Sequence, residues 1–256
     1  MATFRVLVFG SAGVGKTSLC NALTGEAKPV GASVNGTTFC SYTYKPMKFG
    51  NDEIVFTDTM GLNESDRGSN PSAKALEELT RLLRQSPQGF NLLIHVMKMG
   101  RIDAAHENNY ELFVRQIAGA RIPTVLVATH CENVEPMSKW VKENQDHISR
   151  RRLQYRTIVA TSFGEGGRFA DIFTQLRKES REALCNAITA CAEPEPVVLY
   201  EGPSDFLVLV RRIWLWLVNN VFAVLGKAAI NIGVYLVLTQ LGVPHADATQ
   251  LAKASS

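Results

Sequence analysis

Eight residues near the start of the chain restrict what it can fold into more than any other stretch: Gly10-Ser11-Ala12-Gly13-Val14-Gly15-Lys16-Thr17. The apolar run from Phe4 to Phe9 has the length of a buried strand, and Gly15 to Leu23 reads as the helix that follows. A glycine-rich turn between a strand and a helix, spaced G-x-x-x-x-G-K-[ST], suits a phosphate. Its glycines let backbone N–H groups wrap an anion, and the helix N-terminus adds partial positive charge. Lys16 can reach β- and γ-phosphates and the Thr17 hydroxyl can ligate Mg2+, so Gly10 through Ser18 are the candidate phosphate contacts.

Further apolar, β-rich runs recur at 39–44, 53–58, 91–97, 123–129 and 155–160, alternating with helix-like stretches at 71–85, 106–118, 136–148 and 167–190. That alternation predicts an α/β fold, a P-loop NTPase three-layer sandwich with a mainly parallel sheet and helices on both faces. Pro194, Pro196 and Pro203 stand among Glu193, Glu195 and Glu201, which reads as a linker. The expected organisation is a nucleotide-binding domain over 1–190, a linker over 191–204, a hydrophobic helical segment over 205–243 and a flexible tail over 244–256. With 46% hydrophobic and 20% charged residues the chain is neither disordered nor a wholly membrane-embedded bundle. Of its 27 basic and 24 acidic residues, four basic and one acidic fall after residue 205, so the body is balanced. A balanced body argues against nucleic acid as a partner. Five cysteines without a C-x-x-C pair suit a reducing, cytoplasmic setting, and the N-terminal apolar run is too short for a secretory leader.

Which phosphate chemistry the fold serves is indicated by the strand ends. Asp58-Thr59-Met60-Gly61 follows an apolar run, placing a carboxylate for Mg2+ and a glycine N–H for a γ-phosphate, in the manner of a GTPase switch. Asn35-Gly36-Thr37-Thr38 lies in the polar loop before it, and Thr37 or Thr38 is the candidate first-switch threonine. Thr17, Thr37 and Asp58 are thus the expected metal ligands. Thr129-His130-Cys131-Glu132 occupies the base-reading position: Glu132 can accept from guanine N1–H and N2–H2, His130 can cover the ring face, and Thr129 leads the motif. Ala160-Thr161-Ser162 resembles the last guanine-contacting loop, through a backbone N–H of Thr161 or Ser162.

These motifs, with the divergent base motif and the block from Phe90 to Arg101, resemble the immunity-associated nucleotide-binding (GIMAP-type) GTPases. More distantly the chain is similar to septins and to the chloroplast outer-envelope import receptors. The resemblance spans about 1–190. It implies GTP/GDP and Mg2+ as cofactors, a nucleotide-dependent homodimer, and Arg101, in the Gly100-Arg101 pair, as a catalytic residue beside Lys16, Thr37, Thr38 and Gly61. Met60 and Glu132 depart from the family's usual proline and aspartate.

Leu62 stands where Ras-like enzymes place a water-orienting glutamine and cannot hydrogen-bond, so intrinsic hydrolysis is expected to be slow. The tail holds Arg211, Arg212 and Lys227 on one arc, with Trp214, Leu217 and Val221 opposite, a distribution suited to a membrane interface. The expectation is a slow GTPase acting as a nucleotide-dependent switch on the cytoplasmic face of an intracellular membrane, or in the cytoplasm. The alternative is a scaffold that binds GTP or GDP with negligible hydrolysis.

Overall fold

The computed structural model describes residues 1–29, 41–59, 71–165, 170–220, 235, 238–239 and 242–253. They divide into two compact units: 1–63 with 88–197, and 64–87 with 198–256.

The first unit is built on a seven-stranded sheet. Strands β1 (Thr3–Phe9), β4 (Asp52–Asp58), β5 (Leu92–Lys98), β6 (Thr124–Thr129) and β7 (Thr157–Ala160) run parallel in the order β4-β1-β5-β6-β7. β2 (Tyr42–Thr43) and β3 (Met47–Phe49) both pair antiparallel with β4. The β3–β4 hairpin, unexpected from the sequence, turns at Gly50, whose φ of 59° suits a tight reversal.

Because the parallel strands are covered on both faces, both parities of β1 are apolar. Val6 and Val8 join Leu19, Cys20 and Leu23 of α1 (Lys16–Thr24) and Leu184, Cys185 and Ile188 of α5 (Ala170–Cys191) in one core. On the other face Phe9 stacks on Phe113 and on His95, and His95 on His106. His106 belongs to α3 (Ala104–Tyr110), which continues as a π-helical stretch over Glu111–Ile117, where the apolar period predicts a plain helix. α4 (Ser138–Arg150) completes this unit. The expected three-layer α/β arrangement is therefore present. Cys20, Cys131, Cys185 and Cys191 are free thiols.

The second unit joins α2 (Pro71–Gln85) to α6 (Gly202–Asn220) and α7 (His245–Lys253). α6 begins inside the stretch read as a linker, because Pro203 sits in its first turn, where the missing N–H costs nothing. α7 occupies most of the stretch read as a flexible tail, with Ala248 and Ala252 buried one turn apart. The α6 face expected to meet lipid is turned into protein. Trp214 and Leu217 are buried, as are Leu76, Leu79 and Leu83 of α2, and the Arg84 guanidinium lies 5.2 Å over the Phe206 ring. Among the described residues no helix is long and apolar enough to cross a membrane.

Candidate nucleotide-binding site

The glycine-rich loop leaves the carboxyl end of β1, the central strand from which the chain first winds to β4 and then to β5, the place where open α/β sheets bind ligands. Gly10 has φ 146°, and a Cβ there would fall 2.3 Å from the Val96 carbonyl oxygen, so no other residue fits. Gly13 and Gly15 also have positive φ, and Gly15 caps α1 with no side chain on the first-turn N–H groups. Those N–H groups and the helix dipole suit an anion. Lys16 is buried, its Nζ donating to the carbonyl oxygens of Gly10 at 2.9 Å and Ser11 at 2.7 Å. The ammonium is thus held inside the loop.

At the end of β4, the Thr17 hydroxyl donates to Asp58 Oδ2 at 2.6 Å. Asp58 Oδ1 is buried with no partner, and burial pushes the carboxyl up to about 6 against the pull of the Thr17 hydrogen bond and the Lys16 charge. An orphaned carboxylate oxygen beside a threonine hydroxyl, both hard oxygen donors, fits Mg2+. Thr17 and Asp58 would hold the ion, which would supply positive charge to a bound nucleotide's phosphates.

At the other end of the site, β6 delivers the base motif. The Thr129 Oγ1 lies 2.7 Å from the Val14 carbonyl oxygen and 2.9 Å from His130 Nδ1. The Thr129 hydroxyl donates to the Val14 carbonyl, with the Met97 carbonyl also in reach at 3.1 Å, which ties the base motif to the phosphate loop. His130 takes the left-handed conformation, φ 61°, with its ring beside Gly15. Ser162 Oγ donates to Glu132 Oε2 at 3.0 Å, which orients the carboxylate.

The expected amide contacts of the last loop need correction: Thr161 N–H donates to Ala128 O and Ser162 N–H to Ser180 Oγ, so both are satisfied within the protein. Ser162 meets Glu132 through its hydroxyl instead. Ser180, on α5, carries no sequence signal, since a lone serine on an amphipathic helix looks like any other polar position. A buried asparagine, Asn109 of α3, likewise donates to Ser11 Oγ at 3.2 Å and lies outside every motif.

A cavity of about 790 Å3 runs between the two ends, lined by Gly13, Gly15 and Ser18 on the phosphate side and by Thr129, His130, Glu132 and Phe163 on the base side. That lies within the range of small-ligand sites. Arg101 is exposed in the loop after β5 and does not line the cavity. Thr37, Thr38 and Gly61, with Leu62, lie outside the described residues.

The family model of the 50S ribosome-binding GTPases matches residues 5–130, just under half of the chain. A search of curated proteins found no match. Among solved structures, Era in complex with MgGDPNP and nucleotides 1506–1542 of 16S ribosomal RNA is similar at 20% identity and a TM-score of 0.53. The similarity covers 80% of this chain and 61% of that one. A variant of Aquifex aeolicus Era bound to GDP and AlF4− is similar at 19% identity and a TM-score of 0.52, over 83% of this chain and 66% of that one. The chain therefore spans somewhat under two thirds of these structures' length.

These matches correct the resemblance to immunity-associated GTPases, which form a different branch. The strand block ending at Gly100-Arg101, which carried it, is not specific enough to separate one GTPase branch from another. The expected homodimer lost its basis with that resemblance, and nothing here supports the membrane partner: Trp214 and Leu217 are buried, while Val221 and Lys227 lie outside the described residues. The exclusion of nucleic acid is overturned as well, since a protein of this fold is seen holding ribosomal RNA. What stands is the fold and the site: the chain has the α/β fold of the P-loop GTPases, a class that takes GTP or GDP with Mg2+, and it carries the phosphate loop and the Thr17–Asp58 pair that such chemistry uses.

Proposed function

We propose that the protein is a slow GTPase that works as a nucleotide-dependent switch, with its output in the second unit. The packing of α6 on α2 carries this reading. α2 is the helix that follows Asp58-Thr59-Met60-Gly61 in the chain, so the segment expected to respond to a γ-phosphate leads directly into a helix whose apolar face is occupied by α6. Exchange of GTP for GDP alters the pull on the start of α2, and the α2–α6 packing reports it. Slow turnover follows from Leu62, which offers the attacking water no hydrogen bond.

Trp214 and Trp216 are reporters already in place, because both are buried in α6 and the remaining tryptophan, Trp140, lies in α4. In a Trp140→Phe background, their emission should differ between protein saturated with GDP and with a non-hydrolysable GTP analogue, while phosphate release from GTP proceeds slowly. Identical emission in the two states would defeat the switch reading and leave the GTPase domain untouched. The ribosomal RNA held by Era makes RNA a partner class to test for this chain as well.

A further inference from the structure

The charge balance of the body conceals a local excess. Six exposed arginines, Arg115, Arg121, Arg150, Arg151, Arg152 and Arg156, gather at the amino ends of β6 and β7. Their proximity is fixed by hydrogen bonds: Arg115 Nη2 donates to the Arg152 carbonyl at 3.1 Å, and Arg156 N–H to the Thr124 carbonyl at 2.8 Å. β6 and β7 are parallel and in register from Val125 opposite Thr157, so the loops that precede them meet at one edge of the sheet.

Two acids temper the cluster: Glu107 pairs with Arg151 at 2.7 Å and Glu111 with Arg115 at 2.8 Å. Among the described residues no acid pairs with Arg150, Arg152 or Arg156. The carbonyl end of α4 accounts for the sign of Arg150, a last-turn residue, and not for Arg152 or Arg156.

We propose that this arginine edge binds the sugar–phosphate backbone of a nucleic acid. All six cations are arginine, whose planar guanidinium meets a phosphate with two parallel N–H bonds. A lipid surface is the poorer fit, since interfacial anchoring wants apolar side chains next to the charges. The exposed large hydrophobics among the described residues, Met1, Ile172, Val198 and Val208, all lie elsewhere in the sequence. The nucleotide cavity opens at the carboxyl ends of the same strands, about 20 Å away along six residues of β6, so both sites can be filled together. Among the described residues no exposed aromatic accompanies the arginines, which makes this a contact to backbone and not to bases.

The test is the salt dependence of binding a labelled RNA of about 20 nucleotides, followed by fluorescence anisotropy on the full chain loaded with GDP. About three phosphate contacts give a slope of log K on log[salt] near −2.1, or about an 18-fold loss of affinity from about 50 to about 200 mM KCl. Each of Arg150→Gln, Arg152→Gln and Arg156→Gln should reduce the slope by about 0.7 with GDP affinity unchanged. Replacing the three by lysine should keep the slope and weaken binding. Three outcomes overturn the proposal: no RNA binding at the lower salt, a slope indifferent to all three single substitutions, or capture of phosphatidylserine vesicles through the same arginines. None of them bears on the nucleotide switch, which is scored by Trp214 and Trp216.

Discussion

Replacing Asp58 with asparagine should make the empty protein more stable while destroying its use of Mg2+. The Asp58 carboxyl sits at about 6 in the fold against 3.8 for the free side chain, because burial costs it more than Thr17 and Lys16 restore. The folded state therefore holds the proton more tightly than the unfolded chain, and folding stability contributed by this group falls as pH rises from about 4 to about 6. Above that window the penalty is complete, and the difference between the two values corresponds to about 3 kcal/mol. The asparagine variant would escape it and still accept the Thr17 hydroxyl proton through its amide oxygen. For a domain of this size the gain is a rise of about 6–12 °C in Tm at pH ~7, shrinking to a small fraction near pH ~4. Differential scanning fluorimetry of nucleotide-free protein in EDTA, at both pH values, measures it. Adding Mg2+ and GTP should reverse the order, because only the wild type then gains ligand stabilisation. An Asp58→Asn protein no more stable than wild type at neutral pH, or equally stabilised at both pH values, would refute the claim that Asp58 is held as a desolvated, metal-ready carboxylate.

Three further outcomes follow from the same geometry. Lys16→Ala should lower GTP affinity about 10- to 100-fold in a protein that melts normally, since the lysine donates to loop carbonyls; an unchanged Kd by calorimetry would end the phosphate-loop assignment. Glu132→Ala should cut the preference for GTP over ATP about 100-fold, and Ser162→Ala, which only frees the carboxylate's orientation, about 5-fold; competition titrations in which the two variants behave alike would mean that Ser162 does not act through Glu132. Trp214→Ala should destabilise the second unit by about 3–5 kcal/mol, seen as early hydrogen exchange in α2, and unaltered exchange there would show that α6 does not hold that helix.

The phosphate end of the site is legible in the sequence because its chemistry depends on neighbouring residues. Gly10 admits no Cβ, Gly15 needs a left-handed φ, and Lys16 and Thr17 follow at the fixed spacing of a loop that becomes a helix. The base end is legible only in outline. Thr129 and Glu132 can be placed at the end of β6, but their supports are non-local: Val14 O lies 115 residues from Thr129, and Ser162 lies 30 from Glu132. The amides of Thr161 and Ser162 mislead for the same reason, since Ser180 takes the Ser162 N–H and nothing local announces it. The π-helical stretch after Tyr110 and the short β3 strand escape because neither changes the apolar period enough to register.

Two larger misreadings share one cause, the averaging of a property that folding redistributes. Weighed by hydropathy alone, an apolar helix bearing Trp214, Trp216 and Leu217 looks the same whether lipid or another helix will cover it. What separates the cases is the partner face, and α2 supplies one in Ala75, Leu76, Leu79, Leu82 and Leu83, all buried and spaced at helical period. α2 ends at Gln85 and α6 begins at Gly202, so no local pattern could pair the two faces before the chain has folded. Charge misleads through its sum, because a sum near zero is compatible with acids and bases interspersed or with both segregated. Here four arginines within residues 150–156 join Arg115 and Arg121 only because β6 and β7 run parallel, so a body without net charge acquires a basic edge. Net charge thus limits the long-range field of a chain and says little about a partner that meets it within a Debye length, about 8 Å at physiological salt.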